Sequence, residues 1–97
     1  MNEPLTHEYF EPYTGRRCVF DGQPVTLTLA SVTANARFVV PGSAQVPFIL
    51  RFHGPVGDIL PAGHYRTTIQ DGPVIQLHVL PIHTPGQDRQ DYQAVFN

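Results

Sequence analysis

Histidine is the residue type in this sequence with the widest chemical repertoire. Three converging imidazoles would suit zinc, which prefers nitrogen ligands in tetrahedral geometry. His53 and His64 flank the turn-rich segment Gly54–Gly63, so they are candidates to face each other across a hairpin. The spacings HxH, HExxH and CxxC do not occur, however, and no acidic residue is spaced as a partner for a ligating imidazole. We therefore predict no bound metal or other cofactor and place the histidines on outward strand faces. A metal-binding or small-molecule-binding barrel is the alternative. The five histidines are His7, His53, His64, His78 and His83.

Catalysis has little support in the sequence. Cys18 is the one cysteine, so an intrachain disulfide is impossible. The adjacent Arg17 should point to the opposite face of a strand and leave the thiol unactivated, which favours a buried structural cysteine. Most aspartates lie in turns, where they accept backbone hydrogen bonds. The GxSxG, phosphate-loop and GxGxxG motifs are all missing. We predict that the protein is not an enzyme.

Recognition of another protein is the function that the sequence favours. Side chains alternate between the two faces of a strand, and the expected polar face carries a mixture of hydrogen-bond donors and acceptors suited to an interface. An ordinary solvated face would have the same composition. The last strand, Asp91–Phe96, is also a candidate edge strand, open to strand addition by a partner. We therefore predict a protein partner and leave the oligomeric state open. The candidate binding residues are Arg51, Arg66, Gln76, His78 and Gln93.

Charge and hydropathy argue against two other classes of partner. The net charge is −2, lysine is missing altogether, and the largest basic cluster is the pair Arg16-Arg17. A nucleic-acid binder usually carries a basic patch or stripe, so nucleic acid is not expected. The first residues lack the basic and apolar regions of a signal peptide, and no apolar run approaches the ~20 residues of a membrane span. We expect no membrane association and a cytoplasmic location.

The elements that must position these residues are short β-strands. The length of 97 residues fits a single domain, 1–97, and a hydrophobic fraction of 41% fits a globular one. Pairs of proline and glycine separate apolar runs of alternating polarity. We predict an all-β domain, an antiparallel sandwich or small barrel of about seven strands. The predicted strands cover Arg16–Phe20, Pro24–Ala34, Val46–His53, His64–Ile69, Val74–Ile82 and Asp91–Phe96, with at most a short one at Phe38–Val40.

Several local features are predicted in more detail. Asp21-Gly22 is typical of a type I′ hairpin turn, in which both central residues have positive φ. A β-bulge near Ser31 would return Val32 to the core side of its strand. Residues Pro4–Pro12 form either a short helix capped by Thr6 or an edge strand.

Aromatic residues are predicted to close the core. Phe10, Tyr13 and Phe20 are expected to form one anchor at an end of the domain. Phe48, Leu50 and Phe52 share one face of a strand and should form a ridge of the core. Tyr92 and Phe96 share a face of the last strand, with Ala94 leaving space between them.

Motifs spread over most of the chain resemble those of a family of short bacterial proteins known only as a domain of unknown function. The resemblance implies an all-β fold of about this length and no established activity. It also implies an accessory role in assembly, because members look like they are often encoded near genes for phage-tail-collar-type or fibre-like surface proteins. It supplies no catalytic residues. The motifs are FEPYTG (10–15), PFILRFHGP (47–55), LPAGHYR (60–66), LHVLP (77–81) and YQAVFN (92–97).

Overall fold

The computed structural model describes residues 6–34, 46–82 and 88–96 of the chain. These ranges contain one turn of α-helix, α1 (His7–Phe10), followed by a short 3₁₀-helix (Glu11–Tyr13) and six strands. The predicted short strand at Phe38–Val40 lies outside the described residues. The strands are β1 (Arg17–Phe20), β2 (Thr26–Ala34), β3 (Phe48–Gly54), β4 (Gly63–Ile69), β5 (Val74–Ile82) and β6 (Gln90–Phe96).

The six strands close into an antiparallel barrel in the order β1-β2-β3-β6-β5-β4. Two three-stranded meanders, β1 to β3 and β4 to β6, are joined where β3 pairs with β6 and β1 pairs with β4. The all-β prediction is confirmed, and the architecture is the small barrel. The prediction that the last strand is an edge is wrong. Strand β6 lies between β3 and β5, because closing the barrel requires it to pair on both sides.

Alternation along the strands puts the apolar side chains inside the barrel. Phe48, Leu50 and Phe52 are buried, as predicted, and the β2 register shifts between Leu29 and Ser31. This bulge lies where the sequence predicts it and brings Val32 opposite Leu50, against the core. The inward side chains therefore fill the barrel with a packed core.

The N-terminal segment is a helix, which decides between the two predicted alternatives. The Thr6 side chain accepts a hydrogen bond from the backbone N–H of Tyr9 at 3.3 Å, as an N-cap does. Phe10, at the end of α1, is fully buried. Its ring lies 5.7 Å from the ring of Phe48 and 5.5 Å from that of Phe96, so α1 covers one mouth of the barrel.

The predicted aromatic anchor is divided between the two ends of the barrel. Phe20 packs 6.1 Å from Phe52 and 5.8 Å from Tyr65, away from Phe10. Strand β1 runs along the barrel wall from one end toward the other. Phe10, which precedes β1, and Phe20, which ends it, therefore lie at opposite ends of the barrel. Tyr13 stays on the Phe10 side, where its ring lies against Gly72 in the β4–β5 turn.

The β1–β2 turn differs from the predicted type I′ turn. Gly22 has a φ of 80°, whereas Asp21 does not have a positive φ. The N–H of Gln23 donates to the carbonyl of Phe20 at 3.0 Å, as in a turn that needs positive φ at its third residue alone. The connection is also longer, since Gln23 to Val25 separate the turn from β2.

Two tyrosine hydroxyls fix the connection between β3 and β4. The N–H of Leu60 donates to the hydroxyl of Tyr92 at 2.8 Å, and the hydroxyl of Tyr65 donates to the carbonyl of Pro61 at 2.6 Å. Leu60 and Tyr92 are fully buried. Residues of the motifs LPAGHYR and YQAVFN thus hold the same connection, the one between β3 and β4, in place.

Candidate functional site

The five predicted binding residues all lie on the outer wall of the barrel. Arg51 of β3 pairs with Gln93 of β6, and Arg66 of β4 pairs with Gln76 of β5. His78 follows Gln76 on the same face of β5. Both arginines, Gln76 and His78 are exposed, and Gln93 is half-buried.

The two pairs belong to one continuous surface. Leu80 is the next outward residue on β5 after His78, and it lies opposite Gln93 in the β5–β6 ladder. With 36% of its surface exposed, Leu80 joins the Arg66–Gln76 pair to the Arg51–Gln93 pair. Neighbours along and across these strands are about 5–7 Å apart, within reach of one another's side chains. This surface, the outer stripe, consists of His64, Arg66, Gln76, His78, Leu80, Gln93 and Arg51.

The two arginines of the outer stripe make no polar contact with the described part of the chain. Among the described residues, neither the Arg51 nor the Arg66 guanidinium has a hydrogen-bond or ion-pair partner. Within the described strands, Asp91 is the one acidic residue, and it is engaged by Arg89. The other described carboxylates lie in α1, the 3₁₀-helix and the loops. Apart from Asp91, the described negative charges thus lie outside the strands that carry Arg51 and Arg66.

His53 has a carboxylate partner that the sequence did not reveal. Its Nε2 lies 3.6 Å from Oδ1 of Asp91, which also accepts a hydrogen bond from Nε of Arg89 at 2.9 Å. Asp91 faces His53 directly in the β3–β6 ladder. The expectation that His53 faces His64 is wrong, because β3 is flanked by β2 and β6 and does not contact β4 through a ladder.

His64 instead pairs with His78. The two residues are opposite each other in the β4–β5 ladder, and both are exposed. Their rings are stacked, with centroids 4.2 Å apart and planes inclined by 17°. Within the described part of the chain, neither imidazole makes a hydrogen bond to another group.

Cys18 is a core residue, as predicted. Its side chain is fully buried, and burial raises the pKa of the thiol from 9.0 to about 11 despite an opposing backbone hydrogen bond from Leu29. A thiol held neutral at physiological pH is a poor nucleophile.

Other features of the described residues offer weaker sites. A surface depression of about 270 Å³ is lined by Arg17, Val19, Thr68 and Gln70, on the side of the barrel opposite β6. No group of three or more potential metal ligands occurs in residues 6–34, 46–82 and 88–96. The same ranges contain no helix with the length and apolarity that crossing a membrane requires.

The sequence missed three residues at this surface: His64 as a partner of His78, Leu80 as a link, and Asp91 as a partner of His53. Each gains its role from strand pairing. Strand alternation alone could have predicted that His64 and Leu80 point outward. Their cross-strand neighbours, however, depend on the pairing register, which alternation does not fix between distant strands.

The comparisons with known proteins identify a family and no activity. No curated protein and no solved structure matches the chain. A family profile matches residues 5–96, nearly the whole sequence, and its description is a domain of unknown function. That agrees with the resemblance seen in the motifs. The chain therefore belongs to the family described as domain of unknown function DUF6916.

Proposed function

We propose that this protein is a non-enzymatic interaction module that binds a partner protein through the outer stripe, at an acidic region of the partner's surface. A natural setting for such a module is an accessory role in assembling a phage-tail-like or fibre-like structure. A cytoplasmic location belongs to the same proposal.

One observation carries the proposal. The five polar residues that the sequence predicts on the outer face lie on one continuous surface. The two arginines of this surface have no partner in the described part of the chain. Arginine is enriched in protein interfaces, where its planar guanidinium binds carboxylates through two parallel hydrogen bonds.

Apolar surface beside the stripe supports the same use. Val95, which is 45% exposed, pairs with Ile49 on the outer wall, next to the Arg51–Gln93 pair. Leu80 lies across from Gln93 on the neighbouring strand β5. Apolar side chains surrounded by arginine and amide groups are the composition of an interface whose centre becomes dry on binding.

The alternative is a barrel that binds a small molecule or a metal through its histidines, and a small-molecule site inside the barrel has less support. The inward positions of all six strands hold buried side chains, among them Leu27, Leu50, Phe52 and Tyr92. A ligand in the barrel would have to displace this core. The feature that favours this alternative is the pair of exposed histidines, His64 and His78, on the outer wall.

The proposal can be tested by charge reversal. The tagged chain is co-expressed with the products of its neighbouring genes, and the captured proteins are compared for wild type and the double variant Arg51→Glu/Arg66→Glu. We expect a stoichiometric partner with the wild type and at least a tenfold loss of captured partner with the variant. Binding should also weaken as salt is raised, because exposed charges are screened.

Arg17→Glu is the matched control. Arg17 is also exposed on the wall and without a partner among the described residues, but it lies on β1, across the barrel from β6. This variant changes the net charge without touching the outer stripe and should retain the partner. Failure to capture any neighbour, or equal loss with Arg17→Glu, would overturn the proposal.

A further inference from the structure

The stacked pair His64 and His78 is the least explained feature of the barrel wall. The other two described histidines have carboxylate neighbours: His7 lies 3.4 Å from Glu11, and His53 lies 3.6 Å from Asp91. The stacked rings have no such partner within the described residues. Four ring nitrogens are therefore gathered at one exposed point with their hydrogen-bonding capacity unused by the described chain.

The backbone holds these two rings close together. His64 and His78 are directly paired in an antiparallel ladder, which fixes their Cα atoms about 4.5–5.5 Å apart. The backbone thus keeps both side chains within reach of one ligand, and such preorganisation strengthens binding.

Two imidazoles on directly paired residues can share one metal ion once the rings turn toward it. Metal–nitrogen distances near 2.0–2.1 Å place two imidazole nitrogens of one ion about 3.0–3.4 Å apart. The ring centroids are 4.2 Å apart and the planes are inclined by 17°, so the rings must turn out of the stack until one in-plane nitrogen lone pair of each points at the ion. Rotation about the broad χ2 torsion of histidine allows this reorientation, because both side chains are exposed.

We propose that His64 and His78 form a two-histidine site for a borderline transition-metal dication, with the order of affinity Cu²⁺ above Ni²⁺ and Zn²⁺. Imidazole suits these ions, whereas Mg²⁺ and Ca²⁺ require oxygen ligands. The site is open, since the described residues provide no third ligand from histidine, cysteine, aspartate or glutamate. Water can occupy the coordination positions that the described residues leave open.

The neighbouring charge modulates this site. Arg66 and Gln76 form the next outward pair of the same ladder. A guanidinium this close repels a dication and favours an anionic ligand at the open positions. Arg66→Gln should therefore bind the metal severalfold more tightly.

The inference does not rest on the proposed function, because metal binding is measured on the isolated chain without a partner. The full chain, stripped with a chelator, is titrated with CuCl₂, NiCl₂, ZnCl₂ and MgCl₂ by calorimetry. We expect one equivalent of Cu²⁺ bound at the pair and no heat with Mg²⁺. His64→Gln and His78→Gln should each weaken the binding of Cu²⁺ and Zn²⁺ at least fivefold.

His53→Gln is the matched control, since His53 is an outward strand histidine away from the pair. It should leave the affinity unchanged. In NMR spectra, substoichiometric Cu²⁺ should broaden the ring signals of His64 and His78 before those of His53. Binding that survives in the His64→Gln/His78→Gln double variant, or that is lost in His53→Gln, would overturn the inference. Unchanged circular dichroism spectra and melting temperatures establish that the variants are folded.

Discussion

The backbone N–H of Leu60 donates a hydrogen bond of 2.8 Å to the hydroxyl of Tyr92, across 32 positions of sequence and at a point that water does not reach. Removing the hydroxyl with Tyr92→Phe leaves that N–H buried without its acceptor. We expect a loss of about 1–3 kcal/mol in the free energy of unfolding. Urea denaturation followed by circular dichroism measures it, since the chain lacks tryptophan.

Tyr65→Phe provides the comparison for this prediction. The Tyr65 hydroxyl also bonds a backbone group, the carbonyl of Pro61, but in an exposed setting where water can replace it. Its removal should cost less than about 1 kcal/mol. Equal effects of the two substitutions would contradict the argument from burial.

Gly54 is required by close packing at the end of β3. A Cβ at this position would collide with the side chain of Leu27 and lie 3.3 Å from the ring of Tyr92. Gly54→Ala should destabilise the protein by about 1–3 kcal/mol, the usual cost of overpacking a core. Gly57→Ala is the control, because a Cβ there meets nothing within 4 Å. Thermal melts of both variants test the prediction, and a melting temperature as low for Gly57→Ala would refute it.

Cys18 should make the protein sensitive to alkali. Burial raises the pKa of its thiol from 9.0 to about 11, so the folded chain resists the ionisation that the unfolded chain undergoes near pH 9. The stabilisation is complete below pH 9 and is lost as the pH rises toward 11, a change on the order of 2 kcal/mol. Burial also raises the pKa of Tyr92, but this contribution is common to wild type and Cys18→Ala.

The stability of wild type and Cys18→Ala should therefore converge between pH 8 and 11. Denaturation curves at several pH values give the difference. Two parallel pH profiles would show that the thiol ionises equally easily in the folded and unfolded chains. In the folded wild type, Cys18 should also react slowly with a maleimide at neutral pH.

The N-terminal helix should contribute strongly to stability despite its single turn. Phe10 is fully buried, and its ring packs against the stacked rings of Phe48 and Phe96. Phe10→Ala should cost about 3–5 kcal/mol, as expected for a large cavity in a core. Val56→Ala, at a residue 55% exposed, should cost less than about 1 kcal/mol. Chemical denaturation separates the two, and a small effect of Phe10→Ala would mean that α1 is dispensable.

Much of the fold could be predicted from the sequence because the alternation of side chains along a strand is a local property. The period of two placed Phe48, Leu50 and Phe52 inside and Arg51 outside, and the parity of Val32 revealed the bulge in β2. Strand β5 has the predicted bounds, Val74–Ile82. Turn residues and the Thr6 cap also act over a few positions, but they left helix or strand open at residues 4–12 and gave the wrong type for the β1–β2 turn.

The sequence alone thus determined an all-β domain, its inward and outward faces and most of its strand boundaries. Only the tertiary structure decided which strands are neighbours. Closure of the barrel placed β6 between β3 and β5, brought Asp91 beside His53 and stacked His64 on His78. Pairing between distant strands depends on the joint packing of the whole core, and alternation within one strand carries no information about it. The candidate site consists of such cross-strand neighbours, which is why the sequence named its residues without assembling them.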